Sequence, residues 1–310
     1  MRQGRKRLVG PIVVALALMG PVAARANVFA ADGADPRVLV KAAEGPARVY
    51  APIAKVNTLE QTPLDDGRML RQRGTGFMVS PCLLVTNFHA VFGQTVSPER
   101  VAIAGPRVEA SFATASNPAL RIPGVPVAWG SRANGGVDDW ALVRLGECVG
   151  AREDIGWFYL DGGPERGLAE FELQTAGWPG DLAGLQAHVG CRIYSVTADH
   201  AALNDCANRP GASGSPLILE RGGVPMVVAF QRGQRNQADT VLPAFSSDRA
   251  NTAVTVNRLM SHPDVAALIL ADRAALGRPN PFGLLPVPDA EPVQEAEPVY
   301  NETVATTPAP

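Results

Sequence analysis

The stretch Gly211-Ala212-Ser213-Gly214-Ser215-Pro216 sets one serine on a turn that suits reaction. Gly211 and Gly214 permit backbone conformations that a side chain forbids, so Ser213 can stand on a tight, exposed bend. On such a bend consecutive backbone N–H groups can converge beside the hydroxyl, where an oxyanion forms during acyl transfer. Gly/Ser/Pro turns are common in ordinary loops. The reactive reading therefore depends on partners elsewhere in the chain.

Two upstream segments supply them. Gly74-Thr75-Gly76-Phe77-Met78-Val79-Ser80 reads as a strand, and Leu83-Leu84-Val85-Thr86 as a second that runs into Asn87-Phe88-His89-Ala90. A histidine just after an apolar strand is held rigidly, and its neutral imidazole can take a proton from a serine near neutral pH. Farther on, Asp138-Asp139 opens the apolar strand Trp140-Ala141-Leu142-Val143-Arg144-Leu145. An aspartate entering such a strand can be buried enough to orient an imidazole and stabilise its charged form. Taken singly, these segments also read as a core histidine and two surface carboxylates. In the order His, Asp, Ser they form a constellation for nucleophilic catalysis.

Those boxes together resemble the chymotrypsin-like (trypsin-fold) serine peptidases, in particular the bacterial trypsin-like branch that includes the glutamyl endopeptidases. The resemblance is carried by Thr86-Asn87-Phe88-His89, Asp139-Trp140-Ala141-Leu142 and Gly211 to Pro216. Gly177-Trp178-Pro179-Gly180-Asp181 and Asp205-Cys206 also fit it, and it spans about residues 49 to 257. It implies an all-β fold of two packed six-stranded antiparallel β-barrels with a C-terminal helix. It further implies a catalytic set of His89, Asp139 and Ser213, with the backbone N–H groups of Gly211 and Ser213 as oxyanion hole. Asp139 rather than Asp138 is the acid, because it adjoins Trp-Ala-Leu.

Two departures are visible. The residue before the nucleophile is Ala212, where the chymotrypsin pattern has an acid that pairs with a new N-terminal amine. Activation through that acid is therefore excluded. The cysteine that often follows the histidine is also missing.

Composition agrees with a large β-rich core. The 310 residues are 46% apolar, and short Val/Leu/Ile/Phe runs alternate with Gly, Pro, Asn and Asp at the spacing of sandwiches or barrels. The organisation expected is a signal peptide over 1–26, a leader or propeptide over 27–48 and a first barrel over 49–150 carrying His and Asp. A second barrel over 151–256 carries Ser, followed by a helix over 257–275 and a Pro/acid-rich tail over 276–310. Arg2, Arg5, Lys6 and Arg7 precede an apolar stretch ending in Ala24-Arg25-Ala26, which predicts cleavage after Ala26 and export to the periplasm or beyond. Removing that segment takes five basic residues and no acid, so the mature net charge falls from −2 to about −7. Nothing in that balance suggests a nucleic-acid partner or an anionic membrane surface. The expected partner is a protein or peptide substrate, met by a monomer.

In an exported chain the four cysteines can pair in three ways, and the sequence itself does not choose. The resemblance implies a Cys191–Cys206 bridge. For Cys82 and Cys148 a bridge between the histidine and aspartate strands and a pair of buried thiols both stay open. No CxxC or His-rich cluster points to a metal, and no cofactor is expected.

The resemblance places substrate-binding residues at Ala207 and Asn208, at the pocket floor, and along the strand Phe230, Gln231 and Arg232. No acid occurs there, which argues against a choice of Arg or Lys, and Arg232 offers a charge to an acidic side chain. The function expected is a secreted serine endopeptidase. The alternatives are a catalytically silent binding module of the same fold and an esterase using the same triad.

Overall fold

Residues 27–41, 45–59, 62–63, 69–70, 72–93, 107–113, 120–132, 136–236 and 241–275 are described in the computed structural model. The signal peptide read over 1–26 and the tail over 276–310 lie outside the described residues.

Short strands dominate. After β1 (Val38–Leu39) come β2 (Ile53–Thr58), the two-residue pair β3 (Thr62–Pro63) and β4 (Met69–Leu70), β5 (Arg73–Met78) and β6 (Leu83–Thr86). Helix α1 (Phe88–Phe92) follows, then β7 (Val108–Phe112), β8 (Ile122–Ser131) and β9 (Asp138–Leu145). Strands β2-β5-β6-β9-β8-β7 close into a six-stranded barrel. Alternation along each strand divides its residues between two cores. Met78 and Leu84 point into this barrel with Val56, Val108, Ile122 and Val143. Phe77, Leu83 and Val85 point out, toward the second barrel.

That second unit is a sheet of β10 (Tyr159–Leu160), β11 (Leu173–Gly177), β12 (Gln186–Cys191), β13 (Ile193–Val196), β14 (Ala201–Asn204), β15 (Pro216–Arg221), β16 (Val224–Gln234) and β17 (Asn251–Thr255), with β1 added at one edge. Its hydrogen-bonded path runs β12-β11-β15-β16-β17-β14-β13. Only Arg192 separates β12 from β13. The chain therefore joins the two ends of the path through one bent strand, and the sheet curls into a half-barrel. Between the barrels Phe77 stands 6.1 Å from Phe158 and 6.0 Å from Phe230, centroid to centroid. This apolar layer fixes how the two halves meet.

Both disulfides are present. Cys191–Cys206 spans 15 residues in the second barrel, and Cys82–Cys148 spans 66 and ties the end of β9 to the turn before β6. In the chain-entropy account such loops contribute about 3 and about 4 kcal/mol respectively. The C-terminal helix read as continuous is two helices, α2 (Val256–Met260) and α3 (Pro263–Ala275). Pro263 lacks an N–H and disfavours helical backbone at the residue before it, so the run breaks at Ser261-His262. Among the described residues no helix is long and apolar enough to cross a membrane.

Residues 27–41 are packed against the second barrel. Strand β1 pairs antiparallel with β12, and Asn27 and Val28 have no exposure. Asn27 donates its side-chain N–H to the carbonyls of Asn236 (2.7 Å) and Arg249 (2.6 Å), and Phe29 packs on Phe245. Arg37 is buried between Asp35 (2.6 Å) and Asp181 (2.7 Å). Burying Val28 and Phe29 is worth about 1.5–3 kcal/mol each. A chain beginning at Val49 is therefore expected to unfold several kcal/mol more easily than one beginning at Asn27, measured by urea titration.

Candidate active site

Strand β6 delivers the histidine. It pairs with β9 so that Thr86 lies opposite Ala141, and at its end Asn87 donates from Nδ2 to the Asp139 carbonyl at 2.7 Å. His89 then meets Asp139 twice. Its backbone N–H donates to Oδ1 at 2.9 Å, and its ring Nδ1 lies 2.7 Å from Oδ2. With the proton on Nδ1, facing a carboxylate, Nε2 keeps a lone pair for a neighbouring hydroxyl. Asp138 turns elsewhere. It takes two hydrogen bonds from Arg258 (2.8 and 2.9 Å) and lies 3.2 Å from His262, whose ring packs on Trp140.

The Asp139 carboxyl has no exposure. Burial alone would raise its pKa. The charge and hydrogen bonds of His89, with Arg132 adding its own charge, outweigh burial and hold the group below the usual carboxylate range. Arg132 Nε stands 3.4 Å from Oδ2. Nothing in its sequence context had marked it for this role.

The serine loop comes from the other barrel. Gly211 and Gly214 adopt φ of +97° and +90°, the left-handed region that glycine enters freely. A Cβ on Gly214 would stand 2.0 Å from the Thr75 carbonyl. Thr75, at the centre of β5, grips this loop. Its N–H donates to the Ser213 carbonyl (2.7 Å) and its hydroxyl to the Gly211 carbonyl (2.9 Å). The hydroxyl also accepts from the Trp178 N–H, and Thr86 donates to the Thr75 carbonyl. Beside it, a Cβ on Gly74 would lie 2.7 Å from Ala90 Cβ and 3.2 Å from the Ser213 carbonyl. The histidine helix and the half-buried Ser213 thus approach across Gly74. Within the loop, the N–H groups of Ala212, Gly214 and Ser215 go to the carbonyls of Arg209, Gln231 and Ala212. No such internal bond is formed by the N–H of Gly211 or Ser213 among the described residues.

The residues expected at the pocket divide into three groups. Asn208 and Gln231 are together, Asn208 donating from Nδ2 to Gln231 Oε1 at 3.3 Å, and both are buried. Ala207 lines a small cavity behind Ala212 together with Arg37, His188 and Ser215, and its N–H donates to His188 Nδ1. The space behind the serine loop thus holds a neutral alanine, and Arg37 is balanced by its own aspartates. Phe230 is a correction. Its side chain is fully buried in the layer between the barrels, against Phe77, and cannot line a pocket. Arg232 is the extra residue of a β-bulge between Gln231 and Gly233, a device that re-aims a side chain. Burial lowers its pKa, which the charges of Asp139 and Asp199 partly restore, and its Nε donates to Thr252 Oγ1 at 3.4 Å.

No protein-family model and no curated protein sequence matches the chain. A solved Glu endopeptidase, in complex with MPD, aligns at 16% identity over 78% of this chain and 98% of that one, with a TM-score of 0.54. The Rv3671c protein of M. tuberculosis, in an inactive form, aligns at 16% identity over 72% and 89%, with a TM-score of 0.44, too low to add to the argument. The first likeness, with the barrel topology above, gives the chain the chymotrypsin-like double-barrel fold.

Asp138 is also held below the carboxylate range, burial being outweighed by Arg258 and His262. For both aspartates the folded pKa lies below the unfolded value of about 3.9. Their stabilisation is complete above that value and lost as pH falls through the folded pKa values. The urea midpoint is expected to hold down to about pH 5 and to drop steeply below about pH 4. In Asp138→Asn that acid-dependent drop becomes shallower.

Proposed function

We propose that the chain is an exported serine endopeptidase that cleaves peptide bonds through Ser213, His89 and Asp139. The observation that carries the reading is the pair of hydrogen bonds between His89 and Asp139, which fixes the position of the ring and favours the proton on Nδ1. On this reading Ser213 Oγ attacks the substrate carbonyl while His89 Nε2 takes its proton. The proton then passes to the leaving amine, and water releases the acyl group by the same route. Asp139 stays ionised throughout and stabilises the imidazolium. The N–H groups of Gly211 and Ser213 form the oxyanion hole, a use consistent with their having no internal acceptor among the described residues. Two disulfides support export, since such bonds persist in oxidising compartments.

A fluorophosphonate probe tests this without knowledge of the substrate. The native chain is expected to be labelled at Ser213, Ser213→Ala to be unlabelled, and His89→Ala to react slower by several orders of magnitude. Gly74→Ala is expected to fold yet label more slowly, because the added Cβ pushes the histidine helix away from the serine loop. A folded native chain that takes no label would instead make this a binding module.

A further inference from the structure

A turn holds the peptide before the serine loop from behind, and an arginine of the N-terminal segment holds that turn. Pro210 and Gly211 share one peptide unit. It is planar and trans, so its carbonyl and its N–H point in opposite directions. The Gly180 N–H donates to the Pro210 carbonyl at 2.6 Å. Fixing that oxygen toward Gly180 sends the Gly211 N–H the other way, off the turn. The fit is close. A Cβ on Gly211 would stand 2.5 Å from the Trp178 carbonyl and 3.2 Å from the Gly180 nitrogen. Turning the peptide over would set the N–H groups of Gly180 and Gly211 against each other and take this donor from the Pro210 carbonyl. The direction of the Gly211 N–H is thus set by where the turn over 178–181 stands.

Asp181 ends that turn, and Arg37 grips it with two donors. Nη1 gives to Asp181 Oδ1 at 3.0 Å and Nη2 to Oδ2 at 2.7 Å, a forked contact that fixes the carboxylate in direction as well as distance. The guanidinium is itself locked. Its Nε and Nη2 donate to Asp35 at 2.9 and 2.6 Å, and its side chain is only 5% exposed. Strand β1 then lays Val38 opposite Ala187 and Leu39 opposite Gln186, and the Val40 N–H donates to the Leu185 carbonyl. One segment therefore straps the connection from β11 to β12 at Asp181 and again where β12 begins. Arg37 also lines the small cavity behind Ala212, with Gly177, Pro179 and Ser215. Arg209 Nε stands 3.9 Å from Asp181 Oδ2, close enough for charge but too far for a hydrogen bond.

Resting on the reading of Ser213 as nucleophile, we propose that Arg37 is a positioning residue for the oxyanion hole. The segment 27–41 is on this account a working part of the active enzyme and not an inhibitory leader. Arg37 touches neither substrate nor triad. It holds Asp181, Asp181 holds the turn, and the turn aims the Gly211 N–H. The residue before the serine is Ala212, which offers no charge by which the loop could be tied from within. The tether comes from outside the loop instead. Both carboxylates are partly exposed, so water takes over their charges when the arginine is gone, and exposed ion pairs add little to stability. What is lost is direction, and the effect falls on rate.

The test is the second-order rate of fluorophosphonate labelling, a reaction in which the phosphoryl oxygen enters the oxyanion hole. Arg37→Ala and Asp181→Ala are each expected to fold and to label about ten- to a hundredfold more slowly, the scale of a misaimed donor rather than a deleted one. The double variant is expected to be no slower than either, because both act through one contact. Arg37→Lys keeps the charge without the fork and is expected to recover part of the rate. Phe29→Ala loosens the same segment by lost packing on Phe245, and is expected to lower the urea midpoint with labelling unchanged. Labelling of a folded Arg37→Ala at the native rate would overturn the proposal. Equal slowing in Phe29→Ala, or multiplied slowing in the double variant, would do the same. If Arg37→Ala does not fold, Asp181→Ala and Arg37→Lys decide by the same rates. A native chain that takes no label sinks the Ser213 reading, whereas a labelled chain with indifferent variants sinks the role of Arg37 alone.

Discussion

Thr75 holds the site together. Its N–H and its hydroxyl bind the carbonyls of Ser213 and Gly211, and its own carbonyl is held by Thr86, one strand away and three residues before His89. One residue of the first barrel thus sets the serine loop of the second against the strand that ends in the histidine. The glycines on either side of it are part of the same constraint. A Cβ at Gly74 would strike Ala90, and one at Gly76 would stand 2.6 Å from a Leu84 methyl. The apolar layer of Phe77, Phe158 and Phe230 brings the barrels into contact. Burial is non-directional and tolerates small sliding, whereas hydrogen bonds of 2.7 and 2.9 Å do not.

Electrostatics divides the site into compartments. On the histidine side, ionised Asp139 is matched by the imidazole and by Arg132, with Arg232 close by. Asp138, its neighbour in sequence, is neutralised separately by Arg258, which ties the entry of β9 to α2. Two adjacent acids facing different partners avoid the repulsion that would raise one pKa if they shared a site. Behind the serine loop Asn204, Asn208, Gln231 and Asn251 form a buried neutral cluster. Behind Ala212 a third arrangement appears, where Arg37 from the N-terminal segment binds Asp35 and Asp181.

Much of this was legible in the chain. The boxes around His89, Asp139 and Ser213 are contiguous, and the local pattern of strand, turn and glycine shows in each. The fold class followed from them together with the short alternating runs, and the curled sheet with its bent strand at Arg192 agrees with it. The segment from Asn27 to Lys41 carried no readable pattern, because what orders it is distant. Asn27 finds its partners on Asn208, Asn236, Arg249 and Asn251, far along the chain. Arg132 escaped notice for the same reason, since its role depends on where β8 and β9 lie. Phe230 was misread because position along a strand says which residues alternate but not which face meets the other barrel. A bulge then shifted Arg232 out of phase. The Gly-Thr-Gly run at 74–76 did carry a usable signal, as two glycines around a threonine in a strand mark close backbone approach.

The buried amides behind the serine loop show how the fold parts neighbours in sequence. Arg232 follows Gln231 directly, and a linear reading assigns its charge to the pocket. The fold separates them, sending the Gln231 amide toward Asn204 and Asn208 and the guanidinium toward Thr252. The orientation of the Asn204 and Gln231 amides is set by the backbone N–H and carbonyl of Cys206, two residues before Asn208. Cys206 is itself held by its disulfide to Cys191, at the bend that joins β12 to β13. The disulfide, beside the bend at Arg192, therefore holds the residue that orients these buried amides. A change in that bridge would act on the packing behind the serine loop through these oriented amides, with no alteration in charge.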